Sequence, residues 1–278
     1  MPLQDLDLKI SYRSHQDDLI ADFLVPCLEQ ATEYRRSAGY FSSAGLALAA
    51  RGVASLASRG GCMKLVASPH LMPDDVEALT LALKNPTDVL RGITARSLVA
   101  IEDALMADRL NALAWLAAAG LLEVKIAFRL NDDGQVSRGI YHEKSGIFSD
   151  ETNFHITFSG SSNETAGGLL ENFESVKVFA SDKDAERVTE EITNFEALWN
   201  NETNGLRIVD FTEVSRELLE IFRDPDNPPP GLTLPEKVNL PPAERPFSPP
   251  AGFELRDCQA RAWIKNGGRG ILAMATGS

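Results

Sequence analysis

Proline is concentrated in one short stretch of the chain, and this limits what can fold there. Ten of the fifteen prolines lie between Pro225 and Pro250. Proline lacks a backbone N–H and fixes φ, so the stretch suits neither a helix nor a central strand and should form a semi-rigid extended spacer. We therefore divide the sequence into a domain of residues 1–222, a Pro-rich linker of residues 223–252 and a further segment of residues 253–278.

The domain before the linker alternates between strand-like and helix-like segments. Strand patterns cover residues 34–41, 63–68, 122–129, 153–162 and 173–181, and a hairpin or bent strand is predicted around 139–150. Helical patterns cover residues 43–58, the part of 68–83 after its opening turn, 93–119 and 182–201. This alternation predicts an α/β sandwich with a mixed sheet.

Composition excludes several classes of protein. The net charge of -13 argues against a broad DNA-coating surface, although it leaves room for a local basic cleft. No apolar run reaches the ~18 residues that a membrane span needs, and the N-terminus does not resemble a signal peptide. The three cysteines contain no Cys-x-x-Cys pair, so neither a zinc site nor a disulfide framework is suggested. We expect a cytoplasmic protein with no membrane contact.

The stretch "YHEKSGIFSD" carries the first candidate for chemistry. His142 and Lys144 are two residues apart, so in a strand both side chains would point to the same face. An imidazole can act as a nucleophile or as a general acid or base near pH 7, and an ammonium beside it suits a phosphate. Alone, such a pair would more simply be two polar residues on a solvated strand.

Two later segments supply groups that fit the same chemistry. The next strand ends in "SGSSN", where the Ser161 hydroxyl, the Asn163 carboxamide and free backbone N–H groups could hold phosphate oxygens. Serine and asparagine also commonly cap helices, so this segment alone decides little. Glu174, at the start of a further strand, could accept the second N–H of His142 and fix its tautomer.

The three segments together resemble the phospholipase D superfamily, and the resemblance covers most of residues 30–202. Its motifs are His142-x-Lys144, Gly160-Ser161-x-Asn163 and Asn172-x-Glu174. Their order and spacing are most similar to the nuclease branch, in the form found at the N-terminus of DEAD/DEAH-type helicases. The sequence departs from the family pattern in one respect, because five residues rather than four separate Lys144 from Asp150.

The resemblance implies a phosphodiesterase mechanism that needs no metal ion. His142 would attack phosphorus and form a covalent phosphohistidine. A second histidine would protonate the leaving oxygen and then activate water. Lys144, Ser161 and Asn163 would stabilise charge on the phosphoryl oxygens.

That mechanism needs two His-x-Lys units, and the chain contains one. We expect a two-fold homodimer in which each subunit contributes one His142 across the axis. The alternative is that residues 30–120 form a degenerate first half, which would complete the site within one chain.

The segment of residues 253–278 resembles the start of a superfamily 2 helicase. Gln259 would be its adenine-reading glutamine, and "ILAMATGS" matches a buried strand that enters a phosphate-binding loop. We expect a truncated helicase start, so that ATP and Mg would bind only in a full-length protein.

The sequence therefore predicts a metal-independent DNA endonuclease that belongs to a larger helicase–nuclease. A role in restriction or defence against foreign DNA is suggested by analogy only. One alternative is a non-catalytic module for dimerisation or nucleic-acid binding, and a weaker one is a phosphodiesterase that cleaves phospholipids.

Overall fold

The structure is a computed structural model that describes residues 2–86, 109–137, 139–161 and 174–214. The predicted linker, the predicted helicase start with Gln259, and the candidate residue Asn163 lie outside these ranges. The strands are β1 Ser11–Arg13, β2 Glu33–Ala38, β3 Cys62–Ala67, β4 Leu122–Arg129, β5 Lys144–Ser149, β6 His155–Gly160, β7 Ser175–Ala180 and β8 Leu206–Asp210. The helices are α1 Val25–Gln30, α2 Ser43–Leu48, α3 Ala50–Ser58, α4 Pro73–Lys84, α5 Arg109–Ala118 and α6 Ala185–Trp199, and a π-helical segment, Leu19–Leu24, leads into α1.

The strands form one mixed sheet of eight strands within the described residues. Their order is β1-β7-β6-β5-β2-β3-β4-β8. The central strands β2, β3 and β4 are parallel, and the other neighbouring pairs are antiparallel. Parallel neighbours need a crossover connection, which α2 and α3 supply between β2 and β3. The α/β fold class with a mixed sheet, predicted from the sequence, is confirmed.

Helices cover both faces of this sheet. Successive side chains along a strand point to opposite sides, so neighbouring residues of one strand belong to different cores. Leu65 of β3 belongs to the larger core, which α1 to α5 share with one face. The next residue, Val66, belongs to a smaller core beneath α6, together with Phe195 and Leu198. The central strands are therefore buried on both faces, and their ends are the natural place for a polar site.

Some elements differ from the sequence prediction. The helix predicted over residues 43–58 is two helices, because Ala49 leaves the helical conformation with φ -98° and ψ 22°. Of the helix predicted within 93–119, the described part confirms α5 at Arg109–Ala118. The prediction missed α1 and the two edge strands β1 and β8, which are only three and five residues long.

Asp150 follows β5 and connects it to the N-terminal residues of the chain. Its carboxylate accepts hydrogen bonds from the backbone N–H of Leu3 at 2.9 Å, Thr152 at 2.9 Å and Phe154 at 3.1 Å. Burial raises the pKa of Asp150, but these bonds and one from the Thr152 hydroxyl outweigh it and hold that pKa below its usual value. Asp150 therefore has a structural role in the turn between β5 and β6.

Gly146 of β5 leaves the space in which an aromatic ring and a buried cation are stacked. The ring of Phe158 lies against Gly146 so closely that an added Cβ would collide with it. The Arg36 guanidinium lies 5.0 Å from the centroid of the same ring, and its Nη1 donates to the Ser145 carbonyl at 3.0 Å. A side chain at position 146 would displace the ring and the cation together.

We predict that Gly146→Ala lowers the free energy of unfolding by about 1–3 kcal/mol, as overpacking of a filled core does. Ser145→Ala is the matched control, because position 145 points to the opposite face and should change stability by less than about 0.5 kcal/mol. Urea denaturation followed by circular dichroism measures both. An equal free energy of unfolding for Gly146→Ala and wild type would show that Phe158 can move without loss of stability.

Candidate active site

One edge of the sheet collects the polar residues that the sequence singled out. Because β5 and β7 are antiparallel to their neighbours, their first residues lie at the same edge as the last residues of the parallel strands. We call this the site edge, and its strand termini are Arg13, Ala38, Ala67, Arg129, Lys144, Gly160, Ser175 and Leu206.

Three of the four histidines belong to this edge. His15 follows β1, His70 follows β3 and His142 precedes β5. The fourth, His155, begins β6 at the opposite edge, where its Nδ1 is 2.8 Å from the Ser149 hydroxyl. The topology thus brings together histidines that are far apart in the sequence and separates His155 from them.

His142 lies in irregular chain two residues before β5, so the prediction that it shares a strand with Lys144 is wrong in this detail. Its position is set by its neighbours. Tyr141 is buried in the core beneath α6, and its hydroxyl donates to Glu143 at 2.8 Å. Lys144 is the first residue of β5. His142 is therefore an exposed side chain on a segment that is anchored on both sides.

The ionisation of His142 suits a nucleophile. Partial burial lowers its pKa, and the nearby Lys144 ammonium lowers it further. A lower pKa leaves a larger fraction of the imidazole neutral at pH 7, and only the neutral form has a free lone pair.

Lys144 lies among charges on one face of the sheet. Burial lowers its pKa, Glu174 raises it, and Arg36 lowers it, so that the pKa of Lys144 lies below its usual value. Arg36 is only 3% exposed and sits on β2, where it pairs with the second residue after Lys144. Lys144 and Arg36 thus place two cations near one buried carboxylate.

Glu174 has a different neighbour from the one the sequence suggested. Its backbone is fixed to the end of β1, because its N–H donates to the Ser14 hydroxyl at 2.9 Å and its carbonyl accepts from the Ser14 N–H at 3.1 Å. The side chain is 4% exposed, and its Oε2 has no hydrogen-bond partner within the described residues. Within the described residues, the Glu174 carboxylate raises the pKa of Lys144, and the hydrogen bond predicted between Glu174 and His142 is not formed.

Ser161 lies at the site edge, where the sequence placed it. Its hydroxyl accepts from the Ser175 N–H at 3.1 Å, and its own N–H donates to the Ser175 carbonyl at 3.2 Å. A hydroxyl that accepts one hydrogen bond still has its own proton to donate, so Ser161 can bind a phosphoryl oxygen. Of the predicted catalytic residues, His142, Lys144, Ser161 and Glu174 are therefore gathered at the site edge.

Three residues of this edge were not selected from the sequence, namely Arg36 on β2, Tyr40 in the loop after β2, and His70 after β3. Tyr40 makes ring contacts with His142, at 5.7 Å between centroids, and with His70, at 6.0 Å. A signal existed for Tyr40 and His70, because the carboxyl ends of parallel strands meet at one edge, and the predicted strands 34–41 and 63–68 end close to these two residues.

The chain is similar to several solved structures. No family model and no curated protein matches the chain. Among solved structures, NucT from Helicobacter pylori is 15% identical with a TM-score of 0.42, over 71% of this chain and 98% of that one. Nuc from Salmonella typhimurium, a phospholipase D family member, is 14% identical with a TM-score of 0.38, over 72% and 96%. Phosphatidylserine synthase from Haemophilus influenzae Rd KW20 is 10% identical with a TM-score of 0.41, over 73% and 40%. These likenesses concern the fold, and the chemistry has to be argued from the residues of this chain.

Two further kinds of feature are absent from the described ranges. No helix there is long and apolar enough to cross a membrane. No group of three or more His, Cys, Asp or Glu side chains in these ranges could hold a metal ion.

We predict that Glu174→Gln lowers the pKa of Lys144 further, because it removes the only one of the named charges that favours the ammonium. Lys144 would then lose its proton at a lower pH, and any activity that needs the ammonium should decline at a lower pH on the alkaline side. Chemical modification of Lys144 as a function of pH, read by mass spectrometry, measures the shift. Glu143→Gln, in exposed chain, is the control. An unchanged or raised Lys144 pKa in Glu174→Gln would contradict the pairing.

Proposed function

We propose that this chain is a phosphodiesterase that cleaves DNA through a phosphohistidine and needs no metal ion. One observation carries the proposal, namely that an exposed imidazole, an ammonium and a hydroxyl meet at one edge of the sheet beside a buried carboxylate. These groups belong to His142, Lys144, Ser161 and Glu174. The order of the same residues in the sequence resembles that of phospholipase D-type nucleases.

The roles follow from the chemistry of each group. The neutral imidazole of His142 forms a bond to phosphorus while the bond from phosphorus to the leaving oxygen breaks. The ammonium of Lys144 and the hydroxyl of Ser161 stabilise the negative charge that develops on the phosphoryl oxygens. Asn163 is proposed for the same role from the sequence alone. Water then forms a bond to phosphorus while the bond to His142 breaks, and the proton that the water loses passes to the second histidine.

DNA is the proposed substrate although the chain carries a net charge of -13. Local potential rather than total charge attracts a phosphate backbone. Arg13, Arg129 and Lys144 are strand termini of the site edge, and Arg36 lies behind it. These cations favour a polyanionic substrate at that edge.

The proton for the leaving oxygen needs a second acid. We keep the proposal that a second copy of the chain supplies its own His142 across a two-fold axis. His142 suits this arrangement because it is exposed, so that a partner subunit can approach it. Coupling to an ATP-driven helicase, with Gln259 reading adenine, and a role in restriction or defence are likewise proposals, supported by the sequence resemblance.

We predict that His142→Ala reduces cleavage of labelled DNA to background, while wild type stays active in EDTA. The substitution removes the nucleophile and, in a dimer, also the acid. His155→Gln is the matched control, because His155 lies at the opposite edge, and it should retain activity if it folds. Loss of wild-type cleavage in EDTA with recovery in Mg²⁺ would refute the metal-independent mechanism. Cleavage of phosphatidylcholine vesicles but not of DNA would instead favour a phospholipase.

We also predict that purified mixed dimers of wild type and His142→Ala are nearly inactive, because the shared site would hold one histidine instead of two. Differently tagged subunits allow the mixed species to be isolated, and light scattering establishes the oligomeric state. If mixed dimers keep about half of the wild-type rate, each subunit works alone and the shared site is wrong. An inactive wild type that still dimerises would favour the non-catalytic module.

A further inference from the structure

Within the described residues of one subunit, the nucleophile of the proposed reaction makes no hydrogen bond with Glu174, the orienting partner that the sequence assigned to it. Glu174 acts on Lys144, and the His142 side chain is exposed. An exposed histidine samples several rotamers, whereas attack on phosphorus requires one direction of approach. A residue of the same subunit that restricts the imidazole would favour this direction of approach.

Tyr40 is in contact with the His142 ring. The centroids of the two rings are 5.7 Å apart and their planes meet at 80°, which is an edge-to-face arrangement. Rings in this geometry attract each other because the positive edge of one meets the negative face of the other. This contact restricts the plane of the imidazole.

The position of Tyr40 is itself well supported. It follows β2 by two residues, is half-buried, and lies between the buried residues Gly39 and Phe41. β2 is a central strand that pairs with β3 and β5. Tyr40 is therefore attached to one of the most constrained parts of the sheet.

A second histidine contacts the same tyrosine. The His70 ring lies 6.0 Å from the Tyr40 ring, with an interplanar angle of 62°. Its Nδ1 is 3.4 Å from the Ser68 hydroxyl at the end of β3. His70 thus links Tyr40 to the neighbouring strand and limits its movement.

We infer that Tyr40, supported by His70, is the positioning residue that holds the His142 imidazole in the orientation required for attack on phosphorus. This inference rests on the proposed phosphodiesterase function. It assigns to Tyr40 the orienting role that a carboxylate commonly has, and it gives Tyr40 no part in proton transfer.

Kinetics of two Tyr40 variants provide the first test. Tyr40→Leu removes the ring and should lower kcat about 10- to 100-fold, since small misplacements of reacting groups have effects of this size. KM should change by less than about threefold, because substrate binding is not removed. Tyr40→Phe keeps the ring and should keep kcat within about twofold of wild type. Phe154→Leu, a half-buried aromatic residue at the opposite sheet edge, is the matched control and should keep wild-type kcat.

Three kinetic outcomes would overturn the inference. Wild-type kcat in Tyr40→Leu would show that the ring does not position His142. A raised KM with unchanged kcat would make Tyr40 a substrate-binding residue. A loss in Tyr40→Phe as large as in Tyr40→Leu would assign the effect to the hydroxyl group.

Nuclear magnetic resonance of the His142 ring provides a test that does not depend on activity. The ring current of Tyr40 shifts the resonances of the carbon-bound protons of His142. Tyr40→Leu should move these resonances to the values of an unstructured histidine. Phe154→Leu should leave them unchanged. Unchanged resonances in Tyr40→Leu would overturn the contact. If wild type shows the contact but cleaves no phosphodiester, the proposed function fails while the contact stands.

His70 variants separate support from proton transfer. His70→Phe retains a ring against Tyr40 and should retain most of the activity, whereas His70→Ala should lower kcat by a smaller factor than Tyr40→Leu. If His70→Phe is as inactive as His142→Ala while remaining folded, His70 itself transfers a proton. That result would overturn the assignment of His70 as a support.

Discussion

The pairing of β2 with β5 is the constraint on which the candidate site depends. β2 is parallel to β3 and antiparallel to β5, with Ala38 opposite Lys144. This one change of direction places the end of β2 and the start of β5 side by side. Tyr40 and His142, about a hundred residues apart in the sequence, come into contact for this reason.

The electrostatics of the site follow from the same pairing. Arg36 is opposite Gly146, where the absence of a side chain allows Phe158 to stack beneath the guanidinium. Arg36 is buried near Lys144 and disfavours its charge, whereas Glu174 favours it. A buried cation and a buried carboxylate are costly unless they are compensated, so the three charges have to be considered as one group.

The two sides of the site supply different kinds of chemical group. Lys144, Ser161 and Glu174 lie on the antiparallel side, formed by β5, β6 and β7, and supply charge and hydrogen bonds. Tyr40 and His70 follow the parallel strands β2 and β3 and supply aromatic surface. His142 lies at the boundary between the two sides. It contacts Tyr40 on one side, and the Lys144 ammonium on the other side lowers its pKa.

Sequence reasoning succeeded where a signal is local. The alternation of apolar residues predicted β4 at 122–129 and placed five other strands within a few residues, because burial of a strand or of a helix face repeats at a fixed period. The motif spacing selected His142, Lys144, Ser161 and Glu174, and all four lie at one edge of the sheet. The short edge strands β1 and β8 were missed, because three to five residues are too few for a periodic pattern.

The sequence by itself determined the α/β class and the chemical groups of the candidate site. Only the tertiary structure decided which groups are neighbours. Within the described residues, Glu174 favours the charge of Lys144 and makes no hydrogen bond with His142. Tyr40 and His70 join the site through the crossovers of the parallel strands. Such contacts depend on strand order and direction, which a linear pattern of residues does not encode.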